Sequence, residues 1–181
     1  MTEKVDVAVV GAGQAGLATS YHLTQAGMDH VVLEAGRVAE TWRSRRWDSF
    51  CLVTPNWSVR LPGAAYAGRD PDGFMNREEL VDHLQHWSEA FKAPVKEGCA
   101  VTSLDREGDG FTLRTDTSDI SARTVVVATG GYQRPHLPRG ASDMPGRPPP
   151  GAAPVLFHRD RESLTSSGPE YNRAAISRRA W

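Results

Sequence analysis

The order of apolar and polar positions predicts a strand, a helix and a second strand at the start of the chain. Residues 5–10 form a nearly continuous apolar run, which is typical of a central parallel strand covered on both faces. Residues 17–26 are predicted as a helix, and Gly27 stands where a left-handed helix end favours glycine. A second apolar run at residues 30–33 ends at Glu34. The pattern therefore predicts a β-turn-α-β unit.

A long aromatic segment and a second helix follow. Residues 37–66 show no clear period but contain three tryptophans, so we expect an ordered excursion, because flexible linkers are poor in aromatic residues. Asn76 and Glu79 have the spacing of a capping box. The helix that they introduce ends before Pro94. It carries an apolar stripe at helical spacing, formed by Leu80, Leu84, Trp87 and Phe91.

Three short strands are predicted next. Residues 101–104 and 111–114 are joined by a polar turn at residues 105–110. Residues 124–128 form another strand of the buried type, and the sequence Ala128-Thr129-Gly130 ends it. This succession indicates a small β-meander after the second helix.

The character of the sequence changes after Tyr132. Prolines and glycines interrupt every regular period, and no convincing amphipathic helix follows. We therefore predict one domain over residues 1–144 and a divergent, poorly ordered tail rich in proline and arginine over residues 145–181.

Composition narrows the classes of function. The apolar content of 39% and charged content of 24% are ordinary for a globular protein, and the net charge of -1 offers no clustered basic face for nucleic acid. No apolar run is long enough to span a membrane, and the first residues lack the layout of a signal peptide. Cys51 and Cys99 form neither a metal motif nor a disulfide framework. We expect a cytoplasmic protein without a metal, with both thiols in or near the core.

Three glycines between the first strand and the first helix have the spacing of a phosphate-binding loop. In such a loop Gly11 allows a tight turn, Gly13 lets the backbone approach a pyrophosphate, and Gly16 lets the helix pack close to the strand. The helix N-terminus then offers unpaired N–H groups and a partial positive charge to the phosphates. The alternative is that these glycines make only a tight turn.

An acidic residue supports the nucleotide interpretation. Glu34 lies 18 residues after Gly16, close to the roughly 20 expected of a ribose-binding acid. Its carboxylate can accept hydrogen bonds from ribose hydroxyls and would repel a 2′-phosphate. This favours FAD or NAD at the site over NADP, the alternative being that Glu34 is a solvated strand end.

The order of the later elements distinguishes the two dinucleotides. A dehydrogenase that binds only NAD continues with further βα units, whereas this chain makes a meander and returns to a strand ending in Ala128-Thr129-Gly130. That order is similar to the FAD domain of flavoproteins that bind two dinucleotides. We therefore predict an α/β, Rossmann-like FAD/NAD(P)-binding domain with a parallel sheet and an inserted β-meander.

Several stretches carry a resemblance to a known family. Residues 9–18, with the sequence VVGAGQAGLA, resemble the opening of flavin-containing monooxygenase-like proteins, above all the bacterial single-component members and more distantly the plant YUCCA enzymes. The resemblance covers residues 4–144. The other matching stretches are residues 40–43, 46–50, 52–55 and 125–135.

This resemblance implies an enzyme that binds FAD, takes hydride from NADPH and uses O2 to oxygenate a small-molecule substrate. By the same resemblance, each part of the FAD has its own contacts. The pyrophosphate would face Gly11, Gly13, Gln14 and Ala15, and the ribose would bind Glu34. Trp42 and Arg43 would lie along the FAD, and the backbone of Val101 would meet the adenine. Thr129 and Gly130 would close over the cofactor.

The sequence also departs from the family pattern. A second G-x-G-x-x-G with basic residues, which would bind NADPH, is not evident, and His158 lies in surroundings that do not fit the family's His-containing segment. We therefore expect a truncated enzyme with a divergent or frame-shifted tail, no turnover with NADPH unaided, and a possible homodimer through exposed apolar surface. The alternatives are another FAD/NAD-dependent pyridine-nucleotide oxidoreductase, and a non-catalytic nucleotide-binding fragment that pairs with another chain. A redox C-x-x-C motif, as in thioredoxin reductase, is absent.

The remaining candidate residues have simpler interpretations. His83 and His86 are three apart without an evident third metal ligand, so we expect solvated side chains. Trp42 either stacks on the flavin or packs the excursion, and packing is favoured for Trp47 and Trp57. Arg45 and Arg46 either bind phosphate or lie in solvent, and solvent is favoured. Catalytic residues cannot be assigned from spacing.

Overall fold

A six-stranded sheet organises residues 2–131, which are the residues that the computed structural model describes. The helices are α1 (Gln14–Gln25), α2 (Glu40–Ser44) and α3 (Arg77–Ala90), and a 3₁₀ turn spans Asn56–Ser58. The strands are β1 (Glu3–Val10), β2 (His30–Leu33), β3 (Arg60–Leu61), β4 (Ala64–Ala65), β5 (Val95–Lys96), β6 (Val101–Glu107), β7 (Gly110–Thr115) and β8 (Asp119–Val127).

The sheet has the order β5-β2-β1-β8-β7-β6, and β3 and β4 form a separate antiparallel pair. Strands β5, β2, β1 and β8 are parallel neighbours, whereas β7 runs antiparallel to both β8 and β6. The meander predicted from the sequence is therefore formed by β6, β7 and β8, and its last strand is also part of the parallel sheet. The predicted α/β, Rossmann-like fold class is confirmed.

The core has two parts, one on each face of the sheet. Because side chains alternate along a strand, Val7 and Val9 of β1 enter one part and Ala8 enters the other. The first part includes Leu17 of α1 and Leu84 of α3. The second contains Val31, Leu33, Cys99, Leu113, Ile120 and Ala122. Burial on both faces explains the continuous apolar run of β1.

Element boundaries differ from the predictions where apolar residues do not mark them. Helix α1 begins at Gln14, three residues before the predicted start, because Gln14 and Ala15 are exposed and no apolar period marks them. The predicted turn at residues 105–110 is mostly strand, since β6 continues to Glu107 and β7 begins at Gly110. Polar residues suit these exposed strands, as the hydrogen bond of 2.8 Å from Thr112 Oγ1 to Glu107 shows.

Two expectations about burial are wrong. The last residue of β8, Val127, is 63% exposed, although its apolar run predicts a buried strand. Cys99 is buried as expected, but Cys51 is exposed. Cys51 pairs with Asn76 in an isolated antiparallel bridge, and its extended backbone turns the thiol outward while the next residue, Leu52, is half-buried.

Some predictions lie outside the described residues. These are the domain boundary at residue 144, the tail at residues 145–181 and the surroundings of His158, and they stay predictions. Among residues 2–131, no helix combines the length and the apolar character needed to cross a membrane.

Candidate functional site

Two glycines of the loop between β1 and α1 are required by close packing. Gly11 has a φ of +106°, and a Cβ built on it would lie 2.6 Å from the carbonyl oxygen of Ala128. A Cβ on Gly16 would lie 1.8 Å from the carbonyl oxygen of Gly11. The loop is therefore held between β8 and the first turn of α1, and neither position accommodates a side chain.

The third glycine faces open space. Gly13 is the N-cap of α1, and no side chain caps this helix within the described part of the chain. A Cβ on Gly13 would meet no heavy atom within 4 Å. Since helix N-termini carry unpaired N–H groups and a partial positive charge, this arrangement can receive an anion at close range to the backbone.

Glu34 lies immediately beside the loop. One carboxylate oxygen, Oε2, accepts a hydrogen bond from the backbone N–H of Ala12 at 2.7 Å, and Oε1 accepts one from Gly36 at 3.0 Å. Each oxygen of a carboxylate can accept more than one hydrogen bond, so both keep capacity for a ligand. Glu34 is half-buried and oriented, unlike a freely solvated strand end.

These residues surround a cavity of about 880 Å³, a size within the range of small-molecule and cofactor sites. The carboxyl ends of β1, β2 and β8 form one side, where open α/β sheets bind ligands. The cavity brings together nine of the residues predicted from the sequence, namely Gly11, Gly13, Gln14, Ala15, Glu34, Trp42, Val101, Thr129 and Gly130.

Two predicted site residues lie elsewhere. Gly16 is buried behind Gly11, in agreement with its predicted packing role. Arg43 does not line the cavity; its Nε donates to the carbonyl oxygen of Val38 at 2.9 Å and its Nη2 to Gln85 Oε1 of α3 at 3.0 Å. The side chain of Arg43 therefore ties α2 to α3.

Arg46 lines the cavity instead. Its guanidinium carbon lies 4.7 Å from the centroid of the Trp42 ring and 5.8 Å from that of Phe50. The preference for solvent is thus wrong for Arg46, whereas Arg45 is exposed. Arg46 lies two residues beyond the end of α2, so helical spacing by itself does not place its side chain on the Trp42 ring.

The aromatic residues of the excursion take different environments. Trp42 is half-buried, packs against the core and lines the cavity. Trp47 contacts Phe50 edge to face but is 48% exposed, and Trp57 is 52% exposed. Packing therefore accounts for only part of the surface of Trp47 and Trp57.

A second, smaller cavity of about 240 Å³ adjoins the first. Gln14 and Trp42 line both cavities, so both residues lie where the two cavities meet. The rest of its lining is mainly aliphatic, from Leu52, Val59, Leu61, Leu80 and Leu84, with Thr54, Ser58 and Arg60 as polar members.

Ala39 is a site residue without a sequence signal. It lines the cavity with a φ of 61°, a left-handed conformation that non-glycine residues seldom adopt. Its backbone N–H donates to the carbonyl oxygen of Ala12 at 3.1 Å, which joins the start of α2 to the glycine loop. The residue type alanine does not predict a left-handed backbone, so this conformation is seen only in the tertiary structure.

Arg77, the first residue of α3, anchors the segment that carries Arg46. Its Nη1 donates to Asp48 at 3.0 Å and to the carbonyl oxygen of Arg46 at 3.3 Å, and its Nη2 donates to Glu78 at 2.8 Å. The hydrogen bond to Glu78, with a smaller contribution from Asp48, raises the pKa of Arg77 above its ordinary value. Arg77 therefore remains charged at neutral pH.

Among residues 2–131, no group of three or more His, Cys, Asp or Glu side chains is arranged to hold a metal ion. His86 is exposed and bonds the carbonyl oxygen of Asp82, as expected of a residue on the polar face of α3. His83 is half-buried and contacts the carbonyl oxygen of Ala64 at 3.2 Å.

The fold and the cavity together define a Rossmann-type dinucleotide-binding domain, with a glycine loop at a helix N-terminus and an acid at the end of the neighbouring strand. The chain belongs to the pyridine nucleotide-disulphide oxidoreductase family, whose profile matches residues 8–146.

Individual relatives agree with this assignment. The chain is 38% identical over 145 residues to an oxidoreductase named CzcO-like from Geobacillus kaustophilus. The aligned segment covers 80% of this chain and 41% of the relative. It is 30% identical to the indole-3-pyruvate monooxygenase YUCCA1 of Oryza sativa subsp. japonica, over 76% of this chain and 34% of the relative. The solved flavin-containing monooxygenase from Stenotrophomonas maltophilia matches with a TM-score of 0.66 and 27% identity, over 76% of this chain and 42% of that one.

These similarities confirm the resemblance to flavin-containing monooxygenases that the sequence motifs predict. The chain spans about 41% of the length of the CzcO-like relative. The activities of the complete relatives therefore belong to proteins more than twice as long as the matched segment.

Proposed function

We propose that this chain binds FAD in the cavity at the N-terminus of α1 and serves as the FAD-binding part of an NAD(P)H-dependent, flavin-monooxygenase-like oxidoreductase. One observation carries the proposal: the open space at Gly13 lies beside the oriented carboxylate of Glu34. A dinucleotide offers a diphosphate and a ribose diol as neighbouring groups, which are the partners that these two features suit.

The residues present suit the diphosphate and the adenosine half of the cofactor. The backbone N–H groups at the start of α1, at Gln14 and Ala15, would bind the diphosphate because the helix N-terminus favours an anion. Glu34 would accept hydrogen bonds from the hydroxyls of the adenosine ribose. The backbone of Val101 would meet the adenine, and Thr129 with Gly130 would close over the cofactor; all three line the cavity.

The charge of Glu34 favours FAD over NADP at this site. A 2′-phosphate on the ribose would face a carboxylate that is already held in place by two backbone N–H groups and cannot turn away without losing them. The adenosine ribose of FAD carries no such phosphate. When bound, the flavin would supply hydride acceptance and the activation of O2, while the chain positions it.

Replacement of Gly13 tests the proposal. The φ of -80° at Gly13 suits alanine, and the loss of a glycine N-cap costs below about 1 kcal/mol. We expect Gly13→Ala to fold but to bind FAD at least about tenfold more weakly in calorimetric titration, because the methyl group occupies the space proposed for the diphosphate. Gln25→Ala, at the exposed far end of α1, is the matched control and should bind like the wild type. Absence of FAD binding by the wild-type chain would refute the proposal.

The wider activity is proposed for the complete protein in which this domain acts. The oxidoreductase and monooxygenase relatives support a small-molecule substrate and NADPH as the hydride donor. A cytoplasmic location remains a prediction from the sequence. Homodimerisation remains a prediction from the sequence. Bleaching of the bound flavin by NADPH, followed by oxygen uptake, is the measurement that tests this wider activity.

A further inference from the structure

The charges that line the large cavity are unevenly distributed. Within residues 2–131, its charged lining residues are Glu34, Glu40 and Arg46. Glu34 accepts two backbone N–H groups, and Glu40 pairs with Arg37 at 3.4 Å. A diphosphate is doubly negative at neutral pH, so Arg46 is the lining side chain whose charge complements it.

The guanidinium of Arg46 is held before any ligand arrives. It lies over the ring of Trp42, and its Nη1 donates to the carbonyl oxygen of Arg45 at 3.2 Å. A guanidinium that stacks on an aromatic face directs its edge, which carries the N–H donors, away from the ring, where an anion can approach it. Its backbone is also fixed, because Arg77 binds both the carbonyl oxygen of Arg46 and the carboxylate of Asp48. Such preorganisation lowers the entropic cost of binding.

The position of Arg46 agrees with that of the diphosphate site. Its stacking partner Trp42 lies in the same wall as Gln14, the first residue of α1, since both residues line both cavities. The helix N-terminus and the guanidinium therefore both border the large cavity, and both attract negative charge.

We propose that Arg46, stacked on Trp42, is a phosphate-binding residue that pairs with the diphosphate of the bound dinucleotide. This inference rests on the proposed function and adds a cation to it. Arg43, which the family resemblance places along the FAD, instead ties α2 to α3 through its hydrogen bonds.

The test compares Arg46→Gln with Arg45→Gln in the full chain. The two arginines are adjacent and each change removes one positive charge, but Arg45 is exposed and does not line the cavity. The probes are adenosine, which lacks phosphate, and ADP, which carries a diphosphate. We expect Arg46→Gln to weaken ADP binding by about tenfold or more, as the loss of a charge-assisted hydrogen bond predicts, and to leave adenosine binding unchanged. Arg45→Gln should bind both probes like the wild type.

The outcomes separate the two proposals. Failure of the wild type to bind FAD overturns the proposed function. Binding of FAD but not of ADP by the wild type overturns the role of Arg46, because the diphosphate would then add no measurable affinity. Binding of ADP by the wild type and equally by Arg46→Gln overturns the role of Arg46 and leaves the proposed function standing. Equal weakening of adenosine and ADP also overturns it, because a general disturbance of the cavity would then explain the loss. Arg46→Lys provides a further readout: it keeps the charge but loses the planar stacking, and we expect an intermediate affinity for ADP.

Discussion

At the scale of single residues, the three glycines of the loop have different surroundings. Gly11 and Gly16 are needed because backbone atoms of Ala128 and Gly11 occupy the space of their side chains. Gly13 has room for a side chain, so packing does not require a glycine there, and under the proposed function the open space receives the ligand. Under that proposal the G-x-G-x-x-G motif combines a requirement of the fold with a requirement of binding, and substitutions can separate the two.

Gly16→Ala should damage the fold. Its Cβ would lie 1.8 Å from the carbonyl oxygen of Gly11, and relief requires movement of α1 away from the loop. We expect a loss of about 3 kcal/mol in the free energy of unfolding, measured by urea denaturation. Gly13→Ala serves as the comparison and should lose less than about 1 kcal/mol. Equal stability of the two variants would contradict the packing role of Gly16.

At the scale of elements, helices α1 and α3 end in the same way. In α1 the N–H of Gly27 bonds the carbonyl oxygen of Thr24, and that of Met28 bonds Leu23. In α3 the corresponding bonds run from Lys92 to Glu89 and from Ala93 to Ser88. Both are Schellman motifs, which need a left-handed residue; α1 places Gly27 there with a φ of 64°, and α3 places Lys92 with a φ of 54°.

Substitutions at these two left-handed positions should have opposite effects on the free energy of unfolding. We expect Lys92→Gly to stabilise the chain and Gly27→Ala to destabilise it, each by about 1 kcal/mol, because a side chain in the left-handed region is strained. Lys92 is exposed, and a Cβ on Gly27 would meet no neighbour within 4 Å, so neither change alters packing. Urea denaturation measures both. A stabilising Gly27→Ala would show that strain is not the controlling effect.

At the scale of the whole molecule, the sheet assembles the site from distant segments. The carboxyl ends of β1, β2 and β8 meet at one edge, although β8 follows β1 by more than a hundred residues in the chain. Gly11 bonds Leu33 and Ala128 bonds Val10 through the backbone, so the loop is part of the sheet edge. Folding and formation of the cavity are therefore one event, and a ligand of the cavity should stabilise the native chain.

Thermal unfolding tests this coupling. A ligand that binds only the native state adds about 2.7 kcal/mol at a concentration of one hundred times its dissociation constant. For a chain of this size we expect FAD to raise the unfolding temperature by roughly 5–10 °C under those conditions. Riboflavin lacks both the diphosphate and the adenosine, and at the same concentration it should leave the temperature unchanged. A similar rise with riboflavin would mean that the flavin ring, rather than the diphosphate and ribose, is what the cavity binds.

The sequence by itself determined the features that depend on local spacing. The apolar runs placed β1 and β2, the pair Asn76 and Glu79 marked the start of α3, and the glycines with Glu34 identified the loop and its acid. The capping box is present as predicted, with reciprocal hydrogen bonds of 2.9 and 2.8 Å. Each of these sequence patterns spans a few residues, or one strand and one helix. The positions of their side chains follow from the repeat of the strand or of the helix alone.

Only the tertiary structure decided which side chains face the cavity from the excursion. Arg43 and Arg46 are equally charged in the sequence, but Arg46 lies four residues after Trp42 and reaches its ring, whereas Arg43 follows Trp42 directly and points to Gln85. That orientation is set by the left-handed Ala39, by Arg77 and by α3, which are brought together by packing between distant segments. Long-range contacts of this kind leave no period in the sequence, and so the fold alone selected Arg46.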